Sequence, residues 1–292
     1  MRRLAFMLLA GFAWTLAACT TAAETGPALW RISDADSEIW LFGSVHVLPA
    51  SLKWRTARID AALASADEMV METNVSDDGR EAFAALTRRL GALPEGETLS
   101  RKLDAATQAR LRQVATAAHI DPAAFEHTRP WLAALQLSIT YAIAHGQDPN
   151  AGVENVLLAD ARAQGKRLSY FETPEQQLRI LADLAPEDEM RFFVATLNDV
   201  ENETDSMDEA EAAWVRGDVR RLGRLLDPEL HEAGPNVYAA LMTNRNARWA
   251  DEIVRRLNGS GKIFIVVGAG HLAGEGSVIA LLRARGVRVE GP

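Results

Sequence analysis

The chain has 292 residues, 48% of them hydrophobic and 24% charged, with a mean hydropathy of −0.08. Those proportions belong to a globular protein and exclude a disordered chain, a collagen-like repeat and a polytopic membrane protein. A net charge of −9 and a pI near 5.3 oppose phosphate backbones, so nucleic acid is not an expected partner.

The chain opens on Met1-Arg2-Arg3, a basic start, and continues through an uncharged, mostly apolar run from Leu4 to Leu16. The run is short for a stable membrane span, which makes residues 1–18 a signal peptide. It ends in Leu16-Ala17-Ala18-Cys19, which resembles a bacterial lipobox with Cys19 as the lipidated residue. A plain secretory signal, cut near Ala18 or Ala23 and leaving a soluble periplasmic protein, is the alternative. Cys19 is the chain's single cysteine, so an intramolecular disulfide and a multi-thiolate metal site are both excluded. Loss of Arg2 and Arg3 takes the net charge from −9 to −11. Residues 19–27 then read as a tether, and the folded part as residues 28–292. The expected address is the cell envelope, with a lipid anchor as the only membrane attachment. Thr20 after the cysteine points to the outer membrane, facing the periplasm.

Glu38 to Phe42 reads as a short buried strand closed by Gly43, followed by helical periodicity from about Trp54 to Ala66 and a second strand at Glu68–Glu72. That order is the cue for a βαβ unit. From Arg80 to Ile143 the sequence is rich in alanine and leucine at helical spacing. A helix follows from about Val153 to Gln164, and Lys166 to Phe171 is a candidate strand. Further helices fill Thr173 to Leu226, where the acidic stretch Glu201–Glu211 reads as a solvated helix face. A long helix spans about Tyr238 to Leu257. Lys262 to Val267 is a β-branched strand, Gly276 to Arg285 a closing helix, and Val287 to Glu290 a short edge strand. No linker divides the chain. The expected fold is a single α/β (α+β) domain. Its β-sheet is formed by the N- and C-terminal segments, with a helical insertion packed beside it.

The chemistry concentrates in a near-repeat, Gly43-Ser44-Val45-His46 and Gly268-Ala269-Gly270-His271. With 20 Gly and 6 His in 292 residues, chance gives about 0.4 Gly-x-x-His spacings, and two occur, each after a strand. Ligand sites of parallel sheets gather at the carboxyl ends of strands. Glycine there permits a close backbone approach. Two histidines delivered from adjacent strands suit one metal ion. Glu72, Glu154 and Glu172 are the carboxylates available as a third ligand or as a base toward water. Arg245 is available to clamp a substrate or an oxyanion; otherwise it is an exposed helix residue pairing with Asp251 or Glu252. His119, His127, His145 and His231 lack partner spacing, and Trp131 and Trp214 read as packing anchors.

These landmarks resemble the bacterial TraB/GumN family, relatives of the Tiki metalloproteases of animals. The resemblance runs from about Leu29 to Val289. It rests on Leu29-Trp30, the stretch from Leu41 to Pro49, Met71-Glu72, Arg129-Pro130-Trp131, Gly152-Val153-Glu154 and Phe171-Glu172-Thr173 with Gln177-Leu178. It continues through Trp214 with Gly217-Asp218, Arg245-Asn246 and the stretch from Val267 to Gly274. Ser44 stands where the bacterial members usually carry threonine. The resemblance implies an α/β (α+β) fold whose central mixed β-sheet is covered by many helices, and a metal-dependent hydrolase site made of His46, Glu72, Glu154, Glu172, Arg245 and His271. His46, His271 and Glu72 would be metal ligands, and Gly43, Gly268 and Gly270 the motif glycines. It also implies cleavage of a peptide or amide bond in an unidentified peptide or protein substrate. Ligands without sulfur suit Mn, Co or Zn. A non-catalytic envelope protein binding haem, metal or a glycan is the alternative from another class, and ester hydrolysis is a third reading. Oligomeric state is left open.

Overall fold

Successive side chains of a strand fall on opposite faces, and the apolar segments at both ends of this chain use both faces. The computed structural model describes residues 26–74, 77–202 and 206–292. The segment read as a signal peptide, Cys19 and the tether up to residue 25 lie outside the described residues. Five strands, Leu29–Ser33 (β1), Ser37–Ser44 (β2), Glu68–Met71 (β3), Arg167–Tyr170 (β4) and Gly261–Gly268 (β5), form one mixed sheet in the order β1-β2-β5-β3-β4. β1 runs antiparallel to β2, and the other four strands are mutually parallel.

The helices in chain order are Ala57–Ser65 (α1), Asp77–Gly91 (α2), Leu99–Lys102 (α3), Ala105–Ala117 (α4), Pro130–Ala144 (α5), Val153–Ala163 (α6) and Pro174–Ala182 (α7). They continue with Pro186–Asn202 (α8), Ser206–Val215 (α9), Val219–Glu232 (α10), Pro235–Tyr238 (α11), Asn244–Leu257 (α12) and Val278–Ala284 (α13). One sheet face, with Phe42, Met69, Phe264 and Val266, packs on α1, α6 and Trp214. The other, with Ile39, Leu41, Val70, Ile263 and Ile265, packs on α12 and α13 through Trp249, Ile253 and Leu282. A separate apolar cluster, with Val114, Leu137, Phe193 and Leu197, holds α4, α5 and α8 together as the helical insertion. Trp131 and Trp214 are packing residues, buried in these clusters, as expected.

The terminal segments meet in the sheet as the sequence implies, with three local departures. The two strands of the expected βαβ unit are parallel but not neighbours, because β5 lies between them. Gly43 does not end its strand. The ladder runs on to Ser44 opposite Gly268, and Gly43 is needed because a Cβ there would stand 3.0 Å from the Ala269 backbone. The expected edge strand at 287–290 is reduced to one bridge, Arg31 with Glu290, while the outer position is taken by β1.

Candidate active site

The four parallel strands end on one edge, and each delivers a polar residue just beyond its last pair. Ser44 closes β2 and His46 follows it, Glu72 follows β3, Glu172 follows β4, and the turn Ala269–Leu272 with His271 follows β5. This is the expected place for a ligand in a parallel sheet. Glu154 reaches the same edge from the first turn of α6, where Val153 N–H donates to the Val45 carbonyl at 3.0 Å. Glu154 Oε1 accepts from Ser44 Oγ at 2.5 Å and lies 2.7 Å from His46 Nδ1. The junction allows no side chain at 152, where a Cβ would stand 2.1 Å from the His46 backbone oxygen. Gly152→Ala is therefore expected to push the His46 turn out of place. A shift of about 1 Å at a reacting group costs on the order of 100-fold in rate, so kcat/KM should fall steeply for any substrate the site turns over.

Arg245 is supplied by a long helix whose middle is wound as a π-turn. α11 continues through Ala239–Thr243 in π form into α12, and Arg245 is the second residue of α12. Such π-turns widen a helix locally and recur at functional sites. The guanidinium is buried, at 5% exposure. Nε and Nη2 donate to the two oxygens of Glu172, both at 2.9 Å, and Nη2 also donates to Glu72 Oε2 at 2.6 Å. Nη1 donates to His271 Nε2 at 3.1 Å. Trp249, one turn along, places its ring 4.5 Å from the guanidinium carbon and its centroid 4.5 Å from that of His271. Asp251 and Glu252 pair instead with Arg285, Arg255 and Arg256, so Arg245 is not the exposed helix residue of the alternative reading.

His271 is fixed at both nitrogens. Asn246 Oδ1 takes the Nδ1–H at 2.6 Å, which leaves Nε2 as an acceptor for Arg245. Burial pushes the ring down to about 4, against the pull of Glu72, so it is neutral at neutral pH. Burial opposes ionisation of Glu72, but neighbouring positive charge and the Gly268 N–H, at 2.7 Å, hold its carboxyl below the usual carboxylate range. With His271 uncharged, that positive charge comes from Arg245 and His46. His46 is pushed up to about 9, chiefly by the Glu154 carboxylate. Its ring is open to the cavity solvent, at 72% exposure, though protein walls the space around it. Glu154 is lowered in turn, its burial outweighed by the His46 charge and by the bonds from His46 and Ser44. At neutral pH, then, the first pair is an imidazolium and a carboxylate.

A cavity of about 480 Å³ joins the two groups, and His46, Glu72, Arg245, Gly268, Gly270 and His271 all line it. Glu154 and Glu172 do not line it. They stand behind His46 and Arg245 and hold them. All six expected side chains are thus brought to one site, four of them facing the cavity. Of the motif glycines, Gly268 is required by the approach of Glu72, at 3.2 Å from a Cβ there, whereas a Cβ at Gly270 would make only ordinary contacts. Glu211 departs from the expected solvated face: it lines the cavity, and burial raises its carboxyl.

An imidazole nitrogen and a carboxylate oxygen are donor types that divalent Mn, Co or Zn accepts. His271 Nε2 and Glu72 Oε1 face each other 3.9 Å apart, and each already accepts a hydrogen bond, from Arg245 Nη1 and from the Gly268 N–H, so an ion held by both would have to displace those donors. Asn246 at Nδ1 is the kind of partner that orients a ligating imidazole. Among the described residues no three His, Cys, Asp or Glu side chains are grouped so as to hold a metal ion. His46 keeps to Glu154.

Asn246, Trp249, Gln177 and Arg248 complete the site around the expected residues. Gln177 donates to Glu72 at 3.3 Å and Arg248 to Glu172 at 3.4 Å. Trp249 stands four residues after Arg245, a helical spacing that marks it as a neighbour once Arg245 is chosen, whereas Asn246 enters the site through its bond to His271. His119, His127, His145 and His231 lie outside the cavity lining, as expected.

A model of the TraB/PrgY/gumN family matches residues 28–291. The chain is similar to the protein called "Uncharacterized protein YbaP" of Escherichia coli strain K12, with 25% identity over 259 residues, 89% of this chain and 93% of the relative. It is similar to the same extent to the protein of that name from Shigella flexneri, again with 25% identity over 259 residues. No solved structure matches the chain. Among the described residues no helix is long and apolar enough to cross a membrane.

Proposed function

The chain belongs to the TraB/PrgY/gumN family, and from that premise we propose that it is an envelope-anchored, metal-dependent hydrolase of amide or ester bonds. The observation that carries this reading is the joining of two differently charged groups by one cavity. On one side His46 is backed by Glu154, and on the other Arg245 and His271 surround Glu72. Sites whose neighbouring groups are driven apart in protonation are the usual ground of acid–base catalysis.

His46, steadied by Glu154 and Ser44, is the proton carrier. It gives a proton to the leaving amine or alkoxide and recovers one from the attacking water. Arg245 supplies fixed positive charge where the oxyanion forms, and Glu172 and Trp249 keep it there. One divalent ion, Mn, Co or Zn, is the proposed cofactor, with His271 and Glu72 as its donors; when bound it would polarise the scissile carbonyl. His46 is assigned to the proton and not to the ion, because an imidazolium must lose its proton before it can ligate. The address remains the proposal made from Cys19, a lipoprotein facing the periplasm.

A second reading, binding without turnover, draws support from the saturation of Arg245, each of whose N–H-bearing nitrogens already has a partner. A panel of neutral amides and esters, assayed after Mn or Co loading, separates the two. The hydrolase reading expects turnover of at least one class, abolished by His46→Ala. Stoichiometric binding with no turnover across the panel would leave the binding reading in its place.

A further inference from the structure

We propose that the cavity beyond the polar site holds the hydrocarbon chain of a neutral acyl amide or ester, making the substrate class fatty-acyl compounds. The inference rests on the hydrolase reading and adds what the substrate carries on its carbonyl.

The cavity lining joins two kinds of residue. One group is His46, Glu72, Arg245 and His271, gathered at the edge of the sheet. Three helices and the π-turn add a mostly apolar wall, through Phe192 of α8, Met207 of α9, Leu222, Leu226 and Leu230 of α10, and Leu241, with Thr196, Asp199 and Glu211 among them. At about 480 Å³ the space is in the range of sites that enclose a small ligand. A scissile carbonyl placed between His46 and Arg245 would therefore project its substituent along an aliphatic wall.

Two observations favour an alkyl chain over a peptide. An extended peptide is recognised mainly by pairing its backbone with an open strand edge, and no residue of the edge strands β1 and β4 lines this cavity. Most of the apolar wall is helical, and helix interiors satisfy their own backbone groups. A hydrocarbon chain asks for no such partners. Charge narrows the class further. Glu72, Asp199 and Glu211 stand in the lining together with His46 and Arg245, so both signs of charge are present and a neutral amide or ester meets no unbalanced field. The reaction would be RCO–X + H2O giving RCOOH and HX, with the carbonyl–X bond broken and the water oxygen kept on the acyl product.

The test measures binding and turnover separately on the purified protein. Calorimetry with N-methylalkanamides from acetyl to decanoyl reads affinity, and the matching p-nitrophenyl esters read turnover. Each methylene buried against the wall is worth up to about fourfold in affinity, so affinity is expected to climb several-fold per added methylene until the cavity is full. Ala210→Phe narrows the wall and should flatten that climb while acetyl-ester turnover persists. Leu230→Gln, which makes the wall polar without filling it, should weaken only the long-chain ligands, and both variants are checked by melting temperature. A flat affinity series in the wild-type protein overturns the acyl proposal even if short esters are cleaved. A climbing series without turnover of any ester or amide overturns the hydrolase reading instead. An apolar peptide amide of similar apolar area that binds more tightly than the decanamide overturns the acyl class in favour of peptides.

Discussion

Arg245→Met is expected to cost the protein about 3–5 kcal/mol of folding stability, the range for removing one partner from a buried ion pair. Methionine is close to arginine in length and leaves little void. The loss comes from charge: Glu72 and Glu172, at 9% and 6% exposure, would keep their carboxylates without the guanidinium that neutralises both. Set against a typical total of about 5–15 kcal/mol, this is enough to leave the variant marginal. Adding Glu172→Gln to Arg245→Met removes one stranded charge and should recover part of the loss. Urea denaturation of the three proteins measures both effects. A cost below about 1 kcal/mol for the single variant would mean that the network is solvated and not a buried centre.

Glu154→Gln is expected to lower kcat by about 10²–10⁴-fold, the usual contribution of a positioned acid–base group, with little change in KM. The amide still accepts from Ser44, so the fold around α6 has no reason to change. It no longer supplies the charge that holds a proton on His46. Because Glu154 acts through His46, the two form one unit. His46→Ala, Glu154→Gln and the double variant should then fall by nearly the same factor, as members of one catalytic group do. Multiplying losses in the double variant would show that Glu154 acts independently, on the substrate or on an ion.

The parts of this site that were legible in the sequence are those written locally. A hydrophobic strand running into Gly-x-x-His marks His46 and His271, and Met71-Glu72 at a strand end marks Glu72. The meeting of the chain termini also followed from strand placement, and the sheet's mixed character from the family resemblance. What local pattern could not show was pairing across the chain. β1 is only five residues long and gains its place by pairing with β2 across a turn held by Asp34. The insertion of β5 between β2 and β3 is a contact between segments some two hundred residues apart. Arg245 and Glu72 are separated by 173 positions, so neither residue's neighbourhood announces the other. The π-turn before Arg245 has no local signature either; its alanines and leucine read as ordinary helix. The division of the glutamates is likewise tertiary. Only packing shows that Glu72 faces the cavity while Glu154 and Glu172 stand behind the residues they hold.

His271 and Glu72 are the proposed holders of an ion beside a proton carried by His46. Metal content tests that assignment most directly, measured after metal-free purification and loading with Mn or Co, on wild type, His271→Ala and His46→Ala lacking residues 1–19. About one equivalent in wild type and in His46→Ala, none in His271→Ala, and turnover in wild type alone is the result this account predicts. Equal, negligible loading in all three proteins would contradict it, and loss of the ion from His46→Ala would move that histidine from the proton to the metal.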